Sequence, residues 1–79
     1  MAEQTTSDDT LDRETAADRL NDIASELRSG EDIRVRVGNK SVKLDPPENI
    51  NYRSEVTEKR KRFRGSRETV RIELDWKPQ

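Results

Sequence analysis

The run Val70-Arg71-Ile72-Glu73-Leu74-Asp75-Trp76 alternates apolar and charged residues without a break and ends on the only tryptophan of the chain. Successive side chains along a strand point to opposite faces. Val70, Ile72, Leu74 and Trp76 therefore share one side, and Arg71, Glu73 and Asp75 the other. A strand so patterned belongs to a sheet with one dry face and one wet face. This constrains the architecture far more than the activity.

Composition sets the limits around that strand. Only 28% of the 79 residues are hydrophobic and 42% are charged, close to the make-up of disordered chains. The net charge is only −1, and the apolar residues are patterned rather than scattered, which indicates one small folded domain. A core of this size rarely supplies more than ~3–5 kcal/mol. No cysteine is present to staple it, so self-association or a strongly stabilising solvent is expected.

Histidine is absent too. The two absences exclude a thiol nucleophile, a Ser-His pair, imidazole acid–base catalysis and a zinc-bound water. Carboxylate or lysine catalysis would need a pocket of roughly 300 Å³ or more, which one helix on one small sheet seldom encloses. The chain is expected to be non-enzymatic and to carry no cofactor. No stretch is apolar enough for a membrane span or a signal peptide, and the N-terminus is acidic, so a cytoplasmic protein without a membrane partner is expected.

Residues 1–10 are small, polar and acidic without a period, which predicts a mobile acidic tail. A helix start follows. Asp12 is placed as N-cap, Glu14 in the positive first turn, and Leu11 opposite Ala16 as a hydrophobic staple. Ala16, Leu20, Ile23, Ala24 and Leu27 then recur at helical spacing, with Asp18, Arg19, Asp22 and Glu26 towards water. Arg28 in the last turn and Gly30 as C′ residue predict a helix over Arg13 to Ser29. Asp18, Asp22 and Glu26 stand four residues apart, but no glycine-containing calcium loop accompanies them, so they read as a solvated face and not as a metal site.

The alternation of Ile33 to Val37 and of Val42 to Leu44 predicts a hairpin. With a turn at Asn39-Lys40, Val37 faces Val42 and Val35 faces Leu44. Pro46 and Pro47 end it, since neither can donate to a ladder. A third strand runs from Ile50 towards Glu58 and returns through Phe63-Arg64-Gly65 into the Val70–Trp76 strand. That register sets Val56 against Ile72, Ser54 against Leu74 and Tyr52 against Trp76, with Glu55 unfavourably opposite Glu73. The expected fold is α+β, order α-β-β-β-β, with the N-terminal helix packed on one face of a four-stranded antiparallel β-meander. Trp76 and Tyr52 are its expected structural anchors, closing the sheet beneath the helix, and residues 11–77 make the single domain.

The helix ETAADRLNDIASELRSG, the hairpin IRVRVGNKSVKL, the proline break and the terminal VRIELDW together resemble the amphi-Trp domain family. These are small proteins, well represented in salt-loving archaea and named for an amphipathic C-terminal strand that ends in tryptophan. The resemblance runs from about Leu11 to Trp76. It implies the fold just described and carries no catalytic residues or ligand with it. The run Lys59-Arg60-Lys61-Arg62-Phe63-Arg64 is more basic than the family resemblance leads one to expect.

Charge is segregated. Met1 to Glu31 holds three basic and nine acidic residues, giving −6, while Asp32 to Gln79 holds thirteen and eight, giving +5. The excess gathers at Lys59, Arg60, Lys61, Arg62, Arg64 and Arg67, with Phe63 among them. Arginines beside an exposed aromatic suit phosphate contacts and stacking on an unpaired base. The same residues equally suit a solvated hairpin tip or a protein-docking one, because charge keeps strand ends from pairing indiscriminately. Neutralising about five phosphates weakens binding by ~10⁴ per tenfold rise in salt, a heavy penalty in a salt-rich cell. A module for protein binding or self-association, including a homodimer, is therefore the first expectation and nucleic-acid binding through Lys59 to Arg67 the second.

Overall fold

A computed structural model describes residues 3–62 and 65–79. Helix α1 (Arg13–Arg28) is followed by strands β1 (Ile33–Val37), β2 (Lys40–Leu44), β3 (Asn51–Lys59) and β4 (Arg67–Asp75), so the α+β class and the element order stand as predicted. The strands are hydrogen-bonded as two separate antiparallel hairpins, β1–β2 and β3–β4, with no ladder between β2 and β3 among the described residues. The expected continuous meander is thus divided in two. The division falls at Asp45-Pro46-Pro47-Glu48-Asn49, where two prolines withhold their N–H groups and stiffen the link.

Helix α1 begins where the sequence places it. The Asp12 side chain accepts a 3.2 Å hydrogen bond from the Thr15 N–H, and the first intrahelical bond runs from Ala16 N to Asp12 O at 3.0 Å. Hydrogen bonds from Thr15 hold the Asp12 carboxyl below its ordinary value of 3.8. At the far end Ser29 is the C-cap and Gly30 turns the chain with φ +75°, a conformation that suits glycine.

The helix packs on β1 and not on β3–β4. Beneath it Ile33 is the one fully buried side chain among the described residues, 1% exposed, with Ile23, Leu27, Val35, Val42 and Leu44 half-buried around it. Glu26, expected on the wet side of the helix, is half-buried instead, and its carboxylate accepts a 2.7 Å hydrogen bond from the Arg34 N–H. That bond fastens the last turn of α1 to β1.

In the first hairpin Ile33 pairs with Leu44, Val35 with Val42 and Val37 with Lys40. This is two residues from the expected register and keeps every apolar residue on its predicted face. The turn is Gly38-Asn39 rather than Asn39-Lys40, because Gly38 at φ +61° supplies the positive first position of a II′-type turn. A turn one residue later would lose that advantage.

The second hairpin is also offset by two. Tyr52 faces Leu74, Ser54 faces Ile72 and Val56 faces Val70, in place of the expected partners Trp76, Leu74 and Ile72. The offset brings Glu55 opposite Arg71 instead of Glu73 and forms a 3.6 Å ion pair, with Arg53 adding a second at 3.3 Å. Like charges then meet only at the open end, Glu58 against Glu68 and Lys59 against Arg67, the last pair of the ladder among the described residues. The expected loop Phe63-Arg64-Gly65 falls on residues 63 and 64, which lie outside the described residues.

The hairpin of two nine-residue strands is about 30 Å long and projects from the helical unit. The molecule measures 49 × 27 × 23 Å, and its radius of gyration of 15.3 Å exceeds the roughly 11.6 Å of a compact chain of this length.

The Ile33→Ala substitution is expected to cost about 2–4 kcal/mol in urea unfolding, whereas Val70→Ala, on the exposed hairpin, should stay within about 0.5 kcal/mol at monomer concentrations. Equal effects would refute a core centred on Ile33. Because the folded Asp12 carboxyl titrates below its unfolded value, its stabilising effect is present above that value and lost as pH falls through the depressed one. Melting curves of Asp12→Ala and the parent protein should therefore differ at neutral pH and converge in acid.

Candidate functional site

The projecting hairpin presents two unlike faces. One carries Arg53, Glu55, Thr57, Arg71 and Glu73, where Glu55 is half-buried beneath its two arginine partners. The other carries Tyr52, Val56, Val70 and Ile72, which are between 47% and 70% exposed. The expected cover is absent: α1 packs on β1 and makes no contact with β3 or β4 among the described residues. Leu20 on the flank of α1 is likewise 58% exposed.

Sequence reasoning identified these apolar positions and assigned them to the core. The signal that would have placed them at the surface is arithmetic: one amphipathic helix against two hairpins. Tyr52 and Trp76, the expected anchors, differ in place. Tyr52 is exposed in the middle of the apolar face, while Trp76 is half-buried just beyond the end of β4. The register of β3 and β4, continued one step, sets Trp76 opposite Ile50, which is also half-buried.

The basic residues gather at the far end. Lys59 closes β3 opposite Arg67, which opens β4, and Arg60, Lys61 and Arg62 follow in the exposed connection. Phe63 and Arg64 lie outside the described residues. Gly65 has φ +76°, as a left-handed loop position requires. Among the described residues, Lys59, Arg60, Lys61, Arg62 and Arg67 take part in no ion pair. Glu58 and Glu68 sit directly behind them, so the end of the hairpin is a band of acid capped by a band of base.

At the other end of the hairpin an open cleft of about 830 Å³ runs between the helix C-terminus and the proline link. Its walls include Leu27 and Ile50 with the carboxylates of Glu31, Asp32, Asp45 and Glu48, and no basic residue lines it. Lys43 reaches Asp32 from outside at 3.2 Å. The Gln79 N–H bonds the Asp45 carbonyl at 3.2 Å, tying the C-terminal segment to the end of β2. Basic and acidic charge therefore occupy opposite ends of one apolar face.

No group of three or more carboxylates placed to hold a metal ion occurs among the described residues. No helix among them is long and apolar enough to cross a membrane. The geometry offers an exposed apolar patch of three cross-strand rows, roughly 14 Å from first to last, on a hairpin with basic residues at one end and acidic residues at the other.

Neither the curated proteins nor the solved structures contain a significant match to this chain. The family model of the Amphi-Trp domain matches residues 1–79. That match, together with the helix, the paired hairpins and the amphipathic strand running into Trp76, establishes that the chain belongs to the Amphi-Trp domain family.

Proposed function

We propose that the chain is a non-enzymatic interaction module that acts by protein–protein binding, through the apolar face of the β3–β4 hairpin. The observation that carries this reading is the exposure of Tyr52, Val56, Val70 and Ile72 in one row on a hairpin that stands clear of the helix. Removing apolar area from water contributes about 25 cal/mol per Å², and a row of this kind on so polar a chain is a ready site of association. The surroundings fit a cytoplasm rich in salt, where charge–charge attraction is screened within a few ångströms and apolar contact is not.

Capture of partners from a lysate at cellular ionic strength, with mass spectrometry of bound proteins, tests the reading. Proteins retained by the parent chain, further copies of itself included, should be lost with Ile72→Glu. An identical set with both baits would remove the apolar face from consideration.

Nucleic-acid binding is the second reading, favoured by the placement of Lys59, Arg60, Lys61, Arg62 and Arg67 at the end of a projecting ribbon. Fluorescence anisotropy with random-sequence single- and double-stranded oligonucleotides should then show binding at low salt that weakens by ~10⁴ per tenfold rise in salt. Arg60→Glu with Arg62→Glu should abolish it. Flat titrations even in dilute buffer would eliminate this reading and leave the first.

A further inference from the structure

We infer that the occupant of the apolar face is a second copy of this chain, packed face to face and antiparallel about a two-fold axis; this rests on the reading of that face as a docking surface. Three rows make up the face: Tyr52 with Leu74, Ser54 with Ile72, and Val56 with Val70. The middle row is its centre. A two-fold axis through Ser54 and Ile72 lays each Val56–Val70 row over the partner's Tyr52–Leu74 row, so all three rows become covered at once. Such an interface is self-complementary, as closed dimers require, and stacks two hairpins about 10 Å apart.

Charge selects this orientation. Along the chain, Arg60 lies six residues to one side of Ser54 and Glu48 six residues to the other, each just beyond an end of β3. The basic connection of Lys59 to Arg62 thus meets the partner's cleft of Glu31, Asp32, Asp45 and Glu48, which contains no base of its own. The two-fold generates this contact twice. Packing the hairpins parallel would instead bring base onto base and acid onto acid. One row works against the arrangement: Glu58 and Glu68 fall over the partner's Ile50 and Trp76. The indole N–H there is a donor that a carboxylate can use.

Size sets the expected strength. A hairpin face about 30 Å by 10 Å covers roughly 300 Å² in plan, well below the ~800 Å² per partner of a standard interface. The two tip-in-cleft contacts add to it in dilute salt, and the interface belongs to the small, transient class. The apolar rows retain their attraction in concentrated salt, while the charged ends lose theirs.

Sedimentation velocity of the full chain, over micromolar to millimolar protein in dilute and in molar potassium chloride, measures the equilibrium. The parent chain should form dimers in both. Val70→Glu should raise the dissociation constant by ~100-fold or more, since it buries a carboxylate without a partner. Val70 is 70% exposed in the single chain, so the circular dichroism of the variant should be unchanged. Arg60→Glu and Glu48→Arg should each weaken the dimer by about tenfold in dilute salt and far less in molar salt. Their mixture should recover the affinity as a heterodimer.

Because the chain has no cysteine, a single one can report proximity without disturbing the fold. Ser54→Cys beside the axis should be cross-linked into dimers by a short bis-maleimide, and Arg53→Cys on the opposite face should not. A monomeric parent chain throughout, or a dimer indifferent to Val70→Glu, overturns the second copy as occupant. If the chain is monomeric while protein capture still depends on Ile72, only the second copy fails; if capture is indifferent as well, the docking surface fails with it. Loss with Val70→Glu but indifference to both charge reversals in dilute salt would refute the antiparallel orientation.

Discussion

The architecture rests on the burial of Ile33 beneath α1. It is the one side chain among the described residues that is removed almost wholly from water, and the helix, the first strand and the first hairpin are all oriented by it. Apolar attraction has no direction of its own. The Glu26 bond to the Arg34 N–H supplies the direction, fixing which turn of the helix lies over which residue of β1. The core is confined to the helix and the first hairpin, and Leu20 on the flank of the helix stays exposed.

That economy shapes the second hairpin. Its strands are held to one another by their ladder and by the pairing of Glu55 with Arg53 and Arg71, not by packing against the helix. Exposed ion pairs of this kind contribute little individually. The hairpin therefore keeps its apolar face open, with base at one end and acid at the other. These opposed ends answer the charge segregation visible along the chain.

Much of the fold was legible. Asp12, Gly30 and the apolar stripe mark the helix within one residue at its end, and the alternation of apolar and charged residues marks all four strands. Face assignments survived both register errors because each error was two residues, the period of a strand. What failed was turn chemistry and closure. Gly38 outranked Asn39 and Lys40 as the turn residue, and the pairing of Glu55 with Arg71 favoured a second-hairpin register two residues from the expected one. Whether β2 would pair with β3 depends on a link whose two prolines permit either answer until the path of the chain is known. The same limit governed the site: alternation reveals that Tyr52, Val56, Val70 and Ile72 share a face, but only the reach of the helix decides whether that face is covered.

The carboxylate of Glu26 has one more effect. In the β1–β2 ladder the odd-numbered residues of β1 turn their backbone groups towards β2, and Arg34 turns its N–H outward. A bare outward row of this kind is a template on which a strand of another molecule can grow. By occupying the Arg34 N–H, the helix withdraws the first donor of that row from any strand that would pair with it.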